Sequence, residues 1–158
     1  MRKLTRITLI GVTAVALAAP VSALGAAEKP FRGADSGTFT IEPISPTVVL
    51  SKDVAAGHAT RLGAYTLVAQ ERIDLVTLRI TSGVWTVATK HGTLFGTYAG
   101  NAEFTGPSTI AYHVSGPILG GTGRYEGASG SVHFDGAADL AAGTLSDELT
   151  GVLLSGDD

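Results

Sequence analysis

The residues in this chain best suited to chemistry are aromatic side chains that also carry a hydroxyl or a ring N–H. Tyr98 and Tyr112 fall on the apolar parity of neighbouring strand-like segments, so both should project inward. Trp85 and Tyr65 lie on adjacent segments whose facing the pattern leaves open. A buried Tyr or Trp needs a polar partner, which gives an apolar pocket directional contacts. Arg61 and Arg79 are candidate inward charges of ambiguous parity. The candidate ligand-binding set is therefore Tyr98, Tyr112, Trp85, Tyr65 and Arg61, and no residue stands out as catalytic. The competing reading is that the aromatic side chains simply fill the core.

Other arrangements that could do chemistry fail on spacing. None of His58, His91, His113 and His133 pairs with another as His-x-His or His-x-x-x-His. His91 falls in a turn, and His113 and His133 fall on outward faces. The Asp and Glu residues are scattered and offer no defined pair for glycoside hydrolysis. A Ser-His-Asp triad has its residue types, but no Gly-x-Ser-x-Gly elbow occurs. The loop from Gly120 to Gly130 looks like a phosphate loop, yet the third place after Gly123 is Glu126, and no Gly-Lys-Ser/Thr follows. Cys is absent, which removes disulfides, thiolate nucleophiles, Cys-ligated zinc and iron–sulfur clusters. The expectation is a protein with no metal, nucleotide or other cofactor.

The chain that must position these residues has 158 residues, room for one domain. Hydrophobic residues make up 44% and charged residues 16%, too apolar a balance for disorder. A formal charge of −3 argues against a nucleic-acid partner, which needs a basic footprint. Twenty-one glycines without a triplet period, among many Thr and Val, point to strands joined by tight turns.

Residues 1–27 have the layout of a secretory signal: Arg2, Lys3 and Arg6, an apolar run from Ile7 to Ala19, then Pro20 and small residues. That run is short of the ~20 residues a membrane span needs. Cleavage is expected after Ala23, Ala26 or Ala27. It would leave eight basic against fourteen acidic residues, a net of −6. The expected location is secreted or periplasmic, with no stable membrane insertion of the mature chain.

Residues 28–36 read as a flexible leader broken by Pro30 and Gly33, and 37–156 as a single domain. Strand candidates run Gly37–Glu42, Thr47–Leu50, Gly57–Glu71, Leu75–Thr81, Val84–Lys90, Thr93–Phe104, Thr109–Leu119, Ser131–Leu140 and Thr144–Leu154. Ser82-Gly83 signals a hairpin. Even positions from Leu94 to Phe104 and from Ile110 to Ile118 should face the core, as should Val132 and Phe134. Inward Gly96, Gly100, Gly116 and Gly136 suit sharp coiling or leave room for a ligand. The pattern predicts an all-β fold, a small closed antiparallel barrel of about eight strands, lipocalin-like in architecture.

The run Gly120-Gly121-Thr122-Gly123-Arg124-Tyr125-Glu126-Gly127-Ala128 resembles the Gly-Gly-Thr-Gly-[Arg/Lys]-[Phe/Tyr]-x-x-Ala motif of the allene oxide cyclase and dirigent-like barrels. The hairpin Thr93-Leu94-Phe95-Gly96-Thr97-Tyr98-Ala99-Gly100 is similar too, and the resemblance spans roughly Gly57 to Leu154. It implies an eight-stranded barrel with a hydrophobic cavity, used without a cofactor. Where dirigent proteins carry a functional Arg after the motif's Ala, this chain has Ser129, which speaks against phenolic coupling. Two readings follow. One is a cofactor-independent cyclase or isomerase acting on a small hydrophobic polyene, polyketide-like or phenolic molecule. The other is an exported, non-catalytic binding or structural barrel, monomeric or a homodimer. A cavity of several hundred Å³ would favour the first, and a closed interior the second.

Overall fold

The computed structural model describes residues 27–155. Apart from Ala27, the export segment lies outside the described residues. Eight strands follow in order: β1 Ala27–Ser45, β2 Val48–Ala59, β3 Gly63–Asp74, β4 Arg79–Thr89, β5 Gly92–Phe104, β6 Thr109–Gly121, β7 Ser129–Asp139 and β8 Thr144–Ser155. Each pairs antiparallel with the next, and β1 closes on β8, so the sheet is a barrel without edges. The expected all-β barrel is the fold.

Four expectations about its parts need correction. Residues 28–36 form strand, not a leader, and carry the inward Phe31 and Asp35. Pro30 is tolerated because it lies beyond the end of β2, whose pairing stops at Gly33 opposite Ala59. Its missing N–H therefore costs no ladder bond, and its carbonyl accepts from Arg61 Nε at 2.9 Å. The run Gly57–Glu71 is two strands split at Thr60–Leu62, with Arg61 at φ 67° and Gly63 at φ 76°. Only Gly63 marks that turn in the sequence.

The stretch around Ser82-Gly83 is a bulge inside β4 rather than a hairpin. Ile80 faces in, Thr81 and Ser82 both face out, and Gly83, Trp85 and Val87 face in. The register shifts against both β3 and β5 at this point. One extra residue thus switches the inward parity of β4 from even to odd. Phe104, expected inward, is 58% exposed at the barrel end.

The interior glycines have a use other than ligand space. Aromatic rings on neighbouring strands lie over them: Tyr98 over Gly83, Trp85 over Gly96, Tyr112 over Gly136 and Phe31 over Gly151. Each is a directly paired cross-strand position. Gly100 and Gly116 face the backbone of the adjacent strand, so they leave no room either. Aromatic rings fill what the glycines vacate, in a barrel interior too narrow for two large side chains side by side.

Gly83→Val puts methyl groups into the space of the Tyr98 ring. It should destabilise the fold by about 1–3 kcal/mol, read as a lower denaturation midpoint. An unchanged midpoint would mean that the ring is not held there.

Candidate functional site

Inward parity carries four carboxyl groups into the barrel: Asp35 on β1, Asp53 on β2, Glu71 on β3 and Asp147 on β8. Asp35 and Asp147 are 6% exposed and Glu71 is 7% exposed. Asp35 pairs directly with Asp147 across β1 and β8, and Ser51 with Glu71 across β2 and β3. The site is therefore two carboxyl pairs, Asp35 with Asp147 and Asp53 with Glu71, on adjoining strands of one wall.

Neutral hydroxyls hold these groups. Tyr65 Oη donates to Asp35 Oδ2 at 2.7 Å, Tyr98 Oη to Glu71 Oε2 at 2.7 Å, and Ser51 Oγ to Asp53 Oδ1 at 2.6 Å. Tyr112 turns its hydroxyl toward Asp147. Asp147 Oδ1 and Asp35 Oδ1 are nonetheless buried without a hydrogen-bond partner.

Burial dominates the electrostatics. Desolvation pushes Glu71 up to about 8, with the Asp53 charge adding and the Tyr98 hydrogen bond opposing. Desolvation likewise pushes Asp147 up to about 7, with Tyr112 opposing and the Asp35 charge adding. Asp35 and Asp53 are raised for the same first reason. Burial, together with the neighbouring carboxylates, raises Tyr65, Tyr98 and Tyr112, so the three phenols stay protonated donors. Like charges this close share protons rather than all ionise.

Beside this wall is a cavity of about 60 Å³. Asp53, Glu71, Asp147, Tyr98 and Tyr112 supply its polar lining, and Phe39, Leu67, Ile80, Val114 and Phe134 are among its apolar lining. No Lys, Arg or His lines it. It lies toward the end of the barrel that bears the β1–β2, β3–β4, β5–β6 and β7–β8 turns. Ile41, Ile44, Leu75, Val76, Phe104 and Leu140 are exposed at that end.

The structure brings together part of the expected set. Tyr98 and Tyr112 face in and line the cavity. Tyr65 faces in but is outside the cavity lining, bonded to Asp35. Trp85 is buried against Phe134, with ring centroids 6.1 Å apart at 69°, and its Nε1 has no hydrogen-bond partner. Phe134 stands between it and the cavity. Arg61 is not an inward charge: it is an exposed turn residue, because the β2–β3 turn breaks the parity that suggested otherwise. Arg79 is exposed as well.

The four carboxyl groups were missed because they look scattered in sequence. The signal was alternation: Leu145-x-Asp147-x-Leu149 and Ala69-x-Glu71-x-Ile73 place an acid within an inward apolar series. All four His are exposed, and His113 Nδ1 meets Asp135 at 2.6 Å on the outer face. The glycine-rich loop caps the other end of the barrel. Its Tyr125 and Ala128 are buried, and Gly127 turns the chain between them at φ 72°.

Because their pKa values are raised in the fold, Glu71 and Asp147 bind more protons folded than unfolded. Stability therefore falls as pH rises from the ordinary carboxyl range to about 8, then levels off. Thermal melts should give a higher midpoint at pH 5 than at pH 8.5, and Glu71→Gln should flatten the difference. A midpoint that rises over this range would contradict the burial of these charges.

No family model matches this chain, and neither does any curated protein or solved structure.

Proposed function

We propose that this protein is an exported, cofactor-independent barrel that binds a small hydrophobic molecule carrying a polar head. The observation that carries this reading is the division of the cavity: apolar side chains on most of its surface, with carboxyls from β2, β3 and β8 met by hydroxyls that reach across from Tyr98 and Tyr112. Such a lining orients what it holds, since the body has one place to go and the head another. Its volume of about 60 Å³ falls well short of the several hundred Å³ that would enclose a polyene or polyketide. Binding therefore ranks above cyclisation. Export is supported by the basic start and short apolar run of residues 1–27.

Isomerase chemistry has one observation in its favour. Glu71 and Asp147, pushed to about 8 and about 7, exchange protons near neutrality inside an apolar cavity. That is the setting in which a carboxyl group works as general acid or base. The allene oxide cyclase-like resemblance of the Gly120–Ala128 run supports the same reading by analogy of fold.

Mass spectrometry of small molecules that copurify with the protein tests the first reading. An apolar molecule with one polar end is the expected find. The sole tryptophan adds a solution readout, since Trp85 contacts Phe134 of the cavity wall. Its emission should be blue-shifted in the free protein, and a bound ligand should change its intensity. Tyr98→Phe keeps the ring and removes the hydroxyl that contacts Glu71. Without that donor Glu71 is less firmly set and ionises less readily, so ligand binding should weaken by roughly fivefold to tenfold. An unaltered affinity would take Tyr98 out of the site.

A further inference from the structure

The tyrosine–carboxylate wall has a surplus of acceptors. Each hydroxyl is already committed: Tyr65 to Asp35, Tyr98 to Glu71 and Ser51 to Asp53, with Tyr112 turned toward Asp147. Asp147 is 94% buried and lines the cavity, yet its Oδ1 receives no hydrogen bond. An unmet acceptor buried this deeply is costly, and buried carboxyl groups without cations are rare. No cationic side chain lines the cavity to answer them. A partner would have to bring donors and positive charge while adding no acceptor.

An ammonium group meets that description, having three donors and no acceptor. A carboxylate or phosphate head would meet like charge. An alcohol brings one donor and no charge. Among the described residues, no three His, Asp or Glu side chains converge closely enough to hold a metal ion, so an organic cation fits where a divalent one does not.

We infer that the cavity receives a small apolar amine, its protonated nitrogen beside Asp147 and facing the Asp53–Glu71 pair, and its hydrocarbon against Phe39, Ile80 and Phe134. The inference rests on the binding reading above and names the ligand's charge. Binding couples to protons. The titratable groups that face the site are Asp35 from β1, Asp53 from β2, Tyr65 and Glu71 from β3, Tyr98 from β5, Tyr112 from β6 and Asp147 from β8. β4 and β7 contribute none to the interior. The phenols stay protonated, so the carboxyl pairs alone release protons as the ammonium enters. Affinity therefore climbs with pH until the pairs are ionised.

Isothermal titration of the purified protein with n-butylamine, 1-butanol and butyrate compares three heads on similar chains. At pH 7.5 the amine should bind at least tenfold more tightly than the alcohol, and butyrate should not bind. Amine affinity should rise at least tenfold from pH 6 to pH 8, the release of about one proton per amine at pH 6 diminishing as the carboxyl pairs ionise. Asp147→Asn and Glu71→Gln, checked for folding by circular dichroism, should each weaken the amine at least tenfold. Equal affinity for amine and alcohol would overturn the amine inference and leave the cavity reading standing. If none of the three binds, the cavity reading falls, and the inference with it. Amine binding that neither variant alters would place the amine elsewhere and overturn the inference.

Discussion

Closure of the sheet is the constraint on which everything else in this protein depends. Eight strands joined edge to edge enclose one interior, and every second residue of each strand must enter it. Among the described residues no α-helix or second sheet offers an alternative surface. An acid on the inward parity is therefore buried whatever it costs, because a one-residue slip would expel the whole apolar series of that strand. Asp147 is carried inside by Leu145, Leu149 and Leu153, all buried on the same parity of β8. Packing sets the position of the carboxyl group, and electrostatics must then adapt to it.

The adaptation is made by neutral donors rather than by counter-charges. Pairing a buried carboxylate with a buried cation desolvates two ions, and the attraction often does no more than break even. A phenol desolvates only a hydroxyl and cannot itself ionise beside a carboxylate. Tyr65, Tyr98 and Tyr112 take this part, and each pairs with a carboxyl group on a different strand. Their positions depend in turn on small neighbours. The ring of Tyr98 sits over Gly83 and that of Tyr112 over Gly136. The bulge in β4 brings Gly83 inward, where a regular strand would have turned it to solvent. An irregularity in one strand thus settles which hydroxyl reaches Glu71.

The barrel was legible in the sequence because alternation, turn residues and the glycine-rich run all point the same way. The inward facing of Tyr98, Tyr112, Val132 and Phe134 followed from parity alone. Three features escaped for separate physical reasons. The β2–β3 turn is built from Thr60, Arg61 and Leu62, none of which marks a turn, so two strands read as one. The β4 bulge changes parity without ending the strand, which in sequence is indistinguishable from a hairpin. Residues 28–36 contain Pro30 and Gly33, which normally break strands, but Pro30 stands past the end of β2 and Gly33 faces a neighbouring backbone. The carboxyl groups escaped as well. Composition counts them as solvated charge, and only their place in an alternating series says otherwise.

The two ends of the barrel differ in what they bury. One end is closed by the Gly120–Gly130 loop, which turns Tyr125 and Ala128 down onto Leu62, Leu94 and the rest of the buried core. Tyr125 and Ala128 of this run join the buried core and stay out of the cavity lining, so the run seals the barrel. The other end carries the carboxyl pairs, the cavity and a fringe of exposed apolar side chains that includes Phe104 and Val76. An interior chosen for stability alone would place leucine where Asp147 and Glu71 stand, since buried charge is replaced by packed hydrocarbon at little or no loss. That substitution is absent only on the wall beside the cavity. The sealed end and the strained end belong to one continuous set of strands, so the apolar packing around Leu94, Val132 and Leu149 bears the cost of holding acids in place at the other end. What this wall lacks is a donor with positive charge, and the amine proposed above is the kind of molecule that would supply one.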